Sequence, residues 1–162
     1  MSAETVLAWL AEHAPDLKLI EHSRSTATVA EAADVIGVEP ARIAKTLALR
    51  VGEEIYLVVA RGDARLDNAR CKAELGGRPR MLDAEATLAV TGHAVGGVCP
   101  FGLATALPII ADRSLLAYPT VFPAAGSRTS SVEIAPLRLA ELIGARWGEV
   151  CTVPGAAPDS AA

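Results

Sequence analysis

Aromatic residues are scarce: two Phe, two Trp and two Tyr make up 4% of the chain, so the core must be filled by Ala, Val, Leu and Ile. Any pocket will therefore have mostly aliphatic walls, a lining suited to small ligands. Cysteine is equally sparse. Cys71, Cys99 and Cys151 are odd in number and far apart, which excludes a disulfide framework and the close pairing of a zinc knuckle and leaves three reduced thiols. His13, His22 and His93 are isolated, so no local element gathers two metal ligands, and neither a metal nor another cofactor is expected. The longest apolar stretches, such as Leu103 to Ala111, fall well short of the roughly 18 residues that span a bilayer. The start carries Glu4 and no basic region ahead of an apolar run, so it does not read as a secretory signal, and a cytoplasmic protein without membrane contact is expected. An excess of positive charge is also lacking. The net charge of −4 argues against coating nucleic acid through bulk electrostatics, and with no recognisable helix-turn-helix spacing either, DNA is not expected as a partner.

What is present is 51% hydrophobic residues in 162, enough for one core, so a single domain over residues 1–153 is expected, followed by a small, polar tail at 154–162 expected to be disordered. The charge is unevenly spread. Between Arg61 and Arg80 six cations face three anions, a window of +3 that leaves −7 for the rest. Such a patch can hold a few phosphates while rejecting long duplex, although a solvated helix face has the same composition.

Val6, Leu7, Leu10 and His13 follow helical spacing and predict an opening helix that ends near Pro15. Leu17 to Ile20 reads as extended. Thr28 with Glu31 has the form of a capping box, the helix behind it should stop at Gly37, and Pro40 can start a further short helix. Thr46–Val51 and Ile55–Ala60 read as a hairpin, which puts Lys45 at a helix-to-strand junction. Asp67 and Asp83 can each cap a helix, the first ending at Gly76 and the second near Val90. From Thr91 to Gly102 four glycines and Pro100 make a loop whose backbone should be exposed. Leu107–Ala111 and Ser130–Ile134 read as strands, Pro136–Ile143 as a helix and Trp147–Thr152 as a last extended piece. Strands interrupted irregularly by helices do not alternate as βαβ units, which favours an α+β domain.

Two features can carry chemistry. Lys45 stands in the near-continuous apolar segment Ile43 to Leu47, where a charge is costly unless it faces a cavity, a partner or water. The loop Gly92 to Gly102 can offer bare backbone N–H groups that polarise a carbonyl, but on its own it matches no phosphate-binding fingerprint. The ordered set of Lys45-Thr46-Leu47, Gly62-Asp63, Leu66-Asp67, Thr91-Gly92, Gly96 to Gly102, Leu107-Pro108, Asp112, Ala125-Gly126 and Val132-Glu133-Ile134 resembles the YbaK/ProX family over roughly residues 17–152. That family comprises free-standing relatives of the editing domain of bacterial prolyl-tRNA synthetases. The resemblance implies a mixed, mostly antiparallel, barrel-like sheet surrounded by helices, and trans-editing hydrolysis of mischarged tRNA in the service of translation fidelity. It implies Lys45, Gly96 and Gly97 as catalytic positions, and Thr46, His22, Thr28, Val98, Cys99, Pro100, Gly126 and Ser131 as substrate contacts. The implied partners are the aminoacyl-tRNA acceptor end and prolyl-tRNA synthetase.

In that setting a small amino acid such as Cys, Ala or 2-aminobutyrate, carried by tRNAPro, would be released by water attack on its ester. Backbone N–H groups of the glycine loop would hold the oxyanion, and Lys45 would anchor the terminal phosphate or ribose. No carboxylate or histidine is placed by spacing as a base, which points to substrate assistance by the neighbouring ribose hydroxyl, with His22, His93 and Asp112 as the fallback bases. Cys99 as a covalent nucleophile is the less favoured mechanism. The alternative function is a non-catalytic module of the same fold that binds a tRNA end or a small ligand.

Overall fold

The computed structural model describes residues 2–155, so the expected tail lies, from residue 156 on, outside the described residues. Helix α1 (Ser2–His13) buries Val6 and Leu10 and leaves Leu7 exposed. A two-residue strand, β1 (Ile20–Glu21), follows. Thr28 closes the capping box of α2 (Val29–Ile36): its hydroxyl accepts from the Glu31 amide at 3.1 Å, and the Glu31 carboxylate accepts from the Thr28 amide at 3.3 Å. A single 3-10 turn at Pro40–Arg42 leads into β2 (Ile43–Val51). Strand β3 (Glu54–Arg61) returns antiparallel beside it, from Val51 opposite Glu54 to Ala44 opposite Arg61.

The rest of the chain is hung on this hairpin. Next come β4 (Arg65–Leu66), α3 (Asn68–Leu75) capped by Asp67, β5 (Arg80–Met81) and α4 (Ala84–Thr91) capped by Asp83. The second half supplies β6 (Ile109–Asp112), a 3-10 segment at Arg113–Ala117, β7 (Phe122–Pro123), β8 (Ser130–Ser131), α5 (Pro136–Ile143), β9 (Arg146–Gly148) and β10 (Cys151–Thr152). The main sheet runs β5-β2-β3-β6-β9, with β7 also beside the start of β2. Its pairings are antiparallel at β2/β3 and β2/β5 and parallel at β3/β6, β6/β9 and β2/β7. Two short antiparallel ladders, β1/β8 and β4/β10, complete the mixed α+β architecture.

Both faces of the hairpin are covered, because alternate residues of a strand point to opposite sides. Ala44, Ala48, Leu57 and Val59 join Ile109 and Ala111 in the main core, under α1, α5 and Phe101. Leu49, Val51, Val58 and Ala60 join Ile110 in a second core against Cys71 and Leu75 of α3. The strand begins at Ile43, earlier than the sequence spacing suggests, because β7 extends the ladder there. Lys45 therefore lies inside β2 and not at a junction. The stretch 130–134 is a two-residue strand and a separate bridge from Ile134 to Val121. The 91–102 loop is less exposed than its glycines suggest: His93, Gly97, Cys99, Pro100 and Phe101 are buried.

Gly62 joins the hairpin to α2. A Cβ there would stand 2.2 Å from the Pro40 carbonyl oxygen and 2.8 Å from Val29 Cγ1. Gly62→Ala is expected to lower unfolding stability by at least about 1–3 kcal/mol, measured as a shifted urea midpoint at unchanged slope.

Candidate active site

Strand β2 is paired with β3 along one edge from Ala44 to Val51, but on the other edge β7 covers only Ile43 and Ala44 and β5 only Leu49 and Arg50. Between them the edge lies open at a cavity of about 350 Å³. The Leu82 amide donates to the Ala48 carbonyl at 3.0 Å from the side away from β3. Backbone direction alternates along an antiparallel strand, so Thr46, two residues earlier, also turns its N–H and C=O to that open edge. Its hydroxyl is buried and has no hydrogen-bond partner among the described residues. An unsatisfied buried hydroxyl is costly in a folded chain, and this one belongs to a residue that lines the cavity.

The cavity walls are aliphatic, from Ile36, Ala44, Leu47, Leu82, Val98 and their neighbours. A few polar groups interrupt them. Thr26 and Thr28 come from the approach to α2, where the capping box fixes the backbone; Thr26 is bound through its amide to the Arg128 carbonyl at 2.6 Å. Ser131 comes from β8, and the hydrogen bond between its hydroxyl and His22 Nε2 spans 2.7 Å. Gly96 comes from the glycine loop, at φ 101°, in the region that favours glycine. Its N–H has no partner among the described residues, whereas the Gly97 N–H donates to the Ala94 carbonyl at 2.9 Å. Gly97 is a packing residue: a Cβ on it would lie 2.9 Å from the Ser127 backbone.

Lys45 is among the residues that line the cavity, and its ammonium donates to the Ala64 carbonyl. Burial pushes the Lys45 pKa down, partly countered by the Cys151 thiol and by Asp63. Asp63 is itself held by Arg61 through two contacts of 2.6 and 2.9 Å, which lower its pKa.

Of the positions implied from sequence, Lys45, Thr46, Thr28, Gly96, Val98 and Ser131 meet at this cavity. His22 stands behind Ser131. Gly97, Cys99, Pro100 and Gly126 do not line it; a Cβ on Gly126 would press on Val6 and on the Ser2 carbonyl of α1. Cys99 is fully buried in the main core, and burial pushes its thiol up to about 12, so no thiolate forms there near neutrality. His93 is locked beside it: Nε2 donates to the Phe101 carbonyl at 2.7 Å, and Nδ1 is bound to the Ser2 hydroxyl. Asp112 is spent on the backbone, accepting from the amides of Val150 at 2.8 Å, Cys151 at 3.2 Å and Ser114 at 3.1 Å. Arg128 had no sequence signal. It is an exposed cation whose side chain lies against Gly96, 3.1 Å from the place of a Cβ there.

Burial lowers the pKa of His93, so the folded state favours the neutral ring while the unfolded chain takes up a proton near pH 6.5. Its contribution to stability is therefore present above that pH and is lost as the pH falls through it. The urea midpoint should drop between pH 7.5 and 5.5, and the drop should be smaller in His93→Gln, whose neutral amide cannot titrate.

The model of a family described as the aminoacyl-tRNA editing domain matches residues 23–142. An uncharacterized protein of Bacillus subtilis, YwhH, is 42% identical over 153 residues, which cover 93% of this chain and 98% of that one. The proline–tRNA ligase of Citrifermentans bemidjiense is 32% identical over 107 residues, 64% of this chain and 18% of the ligase. A crystal structure described as that of a candidate trans-editing enzyme for prolyl-tRNA synthetase superposes with a TM-score of 0.86 at 34% identity, covering 93% of this chain and 97% of that one.

Proposed function

This chain belongs to the aminoacyl-tRNA editing domain family, and from that premise we propose that it is a trans-editing deacylase that hydrolyses the ester between a small amino acid and the terminal ribose of tRNAPro. The observation that carries this reading is the open edge of β2, where a buried, unpartnered Thr46 hydroxyl and the free Gly96 amide are gathered around one small aliphatic cavity. At about 350 Å³ the cavity is near the lower end of ligand pockets, a size that suits a short side chain. Ala, Cys and 2-aminobutyrate fit that description.

Water adds to the ester carbonyl carbon, the carbon–oxygen bond to the ribose breaks, and the amino acid and a free terminal hydroxyl leave. The developing oxyanion needs a donor already in place, and Gly96 N–H, like the neighbouring amides of Val95 and Val98, has no partner among the described residues. Such a donor is worth about 3 kcal/mol of activation energy. Lys45, on its flexible stem, exchanges the Ala64 carbonyl for the terminal ribose or phosphate. Arg128 adds positive potential over the same loop. Thr46 offers its hydroxyl to the amino group or the carbonyl of the substrate. Among the described residues no carboxylate or histidine lines the cavity, Asp112 and His93 being engaged elsewhere and His22 bonded to Ser131, so the neighbouring ribose hydroxyl orients the water.

A panel of tRNAPro charged with alanine, cysteine, serine, 2-aminobutyrate and proline tests the reading by release of the amino acid over time. At least one of the small residues should be released faster than proline. Binding of charged tRNA with no release from any member would instead establish a non-catalytic module.

Lys45→Ala should lower kcat/KM on the preferred substrate by at least about 100-fold, with an unfolding midpoint close to that of the wild type. Lys45→Arg should fail to restore it, because a planar guanidinium does not replace a compact ammonium in a tight site. Full turnover by either variant would remove the lysine from the mechanism.

On tRNA ending in 2′-deoxyadenosine, deacylation should collapse while affinity changes little, provided the amino acid is carried on the 3′ oxygen. Undiminished rates would shift the role of base to His22, to be checked with His22→Gln at several pH values.

A further inference from the structure

The six cations of the basic window at residues 61–80 separate once it is folded. Arg61 is held by Asp63, and Arg70 donates to the Cys151 carbonyl at 2.8 Å, so these two are structural, while Arg65 is an exposed residue of β4 whose charge acts on Lys45. Lys72, Arg78 and Arg80 are exposed and form no ion pair among the described residues. The register of the sheet adds a fourth cation from outside the window, because Arg50 of β2 stands directly opposite Arg80 of β5.

Residues opposed in an antiparallel pair have Cβ atoms about 4.5–5.5 Å apart, and like charges placed so repel each other. Arg50 forms no ion pair among the described residues either; Glu54, near it at the hairpin end, pairs with Val51 and so projects from the other face of β2. On that other face Lys72 and Arg78 line a shallow hollow with Asn68, Ala69 and Gly77. A Cβ on Gly77 would meet Val51 at 2.9 Å, which ties this hollow to the end of the hairpin beside Arg50. The four cations thus wrap around the β5 edge of the sheet. Blocking edge-to-edge pairing, the ordinary use of a charged edge strand, explains one such residue and not an opposed pair with a cationic hollow beside it.

Strand β5 is also a wall of the cavity. Met81 and Leu82, which line it, follow Arg80 directly. A polyanion that ends in the cavity and leaves past Met81 meets Arg80 and Arg50 first, and Arg78 and Lys72 next. We propose that Arg50, Lys72, Arg78 and Arg80 bind the sugar–phosphate backbone of the RNA whose 3′ end occupies the cavity. This rests on the reading of the cavity as a deacylation site. It also accounts for a local cationic surface on a chain of net charge −4: a few phosphates next to the reacting end are gripped, and the acidic remainder repels longer duplex.

The test uses uncharged tRNAPro transcript as the binding probe, titrated between about 50 and 200 mM KCl. Variants Arg50→Gln/Arg80→Gln, Lys72→Gln/Arg78→Gln and all four together change exposed side chains only, and their thermal unfolding is measured alongside. The fourfold variant should bind at least about 10-fold more weakly at the lower salt, and its log–log salt slope should fall by roughly 3–4. Its hydrolysis of an aminoacyl ester of the trinucleotide CCA, which carries no stem, should match the wild type. Unchanged tRNA affinity and slope in the folded fourfold variant overturn the proposal, and do so equally if the only effect is self-association, which would make the cations edge protection. The binding titration judges the cation belt even if no ester is cleaved by the wild type, an outcome that would defeat the deacylase reading alone.

Discussion

Strand β2 is the element on which everything else depends, because it is satisfied along one edge and left open along part of the other. Its inner edge is bonded to β3 from Ala44 to Val51, and both of its faces are buried under separate apolar cores, so it cannot shift its register by one residue without turning alanines and leucines to the wrong sides. Its outer edge is covered at the two ends by β7 and β5. The interval between them presents Thr46 to a cavity. A rigid strand thus holds unpaired polar groups at fixed positions, and that is the condition under which backbone donors can act on a developing charge without reorganising.

The side chains that a search for catalytic groups would select first turn out to serve the fold. Cys99, His93 and Asp112 are all buried, and each is engaged with backbone groups or, for His93, also with the Ser2 hydroxyl of α1. Their bonds tie the glycine loop to α1 and the end of β6 to the last turn before β10. What remains at the cavity is a set of hydroxyls, the loop amides of Val95, Gly96 and Val98, which have no partner among the described residues, and Lys45, with Arg128 against Gly96 beside it. Such a set suits a reaction in which the substrate brings its own polar groups, and suits poorly one that needs a protein nucleophile.

Local signals were legible where the physics is local. The capping box at Thr28, the caps at Asp67 and Asp83, the glycine stops and the hairpin each depend on residues within a few positions of one another, and the structure has them where the spacing put them. The short strands β5 and β7 carried no such signal. Two residues have no periodicity to read, and their conformation is imposed by the partner strand. The beginning of β2 lacks a local signal for the same reason, since its partner β7 is about eighty residues away in the chain.

The sequence by itself determined the α+β class and the family likeness, because apolar patterning and motif order are properties of the chain, and the fold brings Lys45, Thr46 and Gly96 to one cavity. Only the tertiary structure decided which groups in those motifs are free. Gly96 and Gly97 are adjacent and alike in sequence, yet one amide is unpaired and the other is closed onto Ala94. Arg61 and Arg80 belong to the same basic window, yet one is neutralised by Asp63 and the other faces Arg50. Whether a hydrogen-bonding or charged group is spent or available depends on what the fold brings within about 3–4 Å of it, and no spacing along the chain encodes that distance.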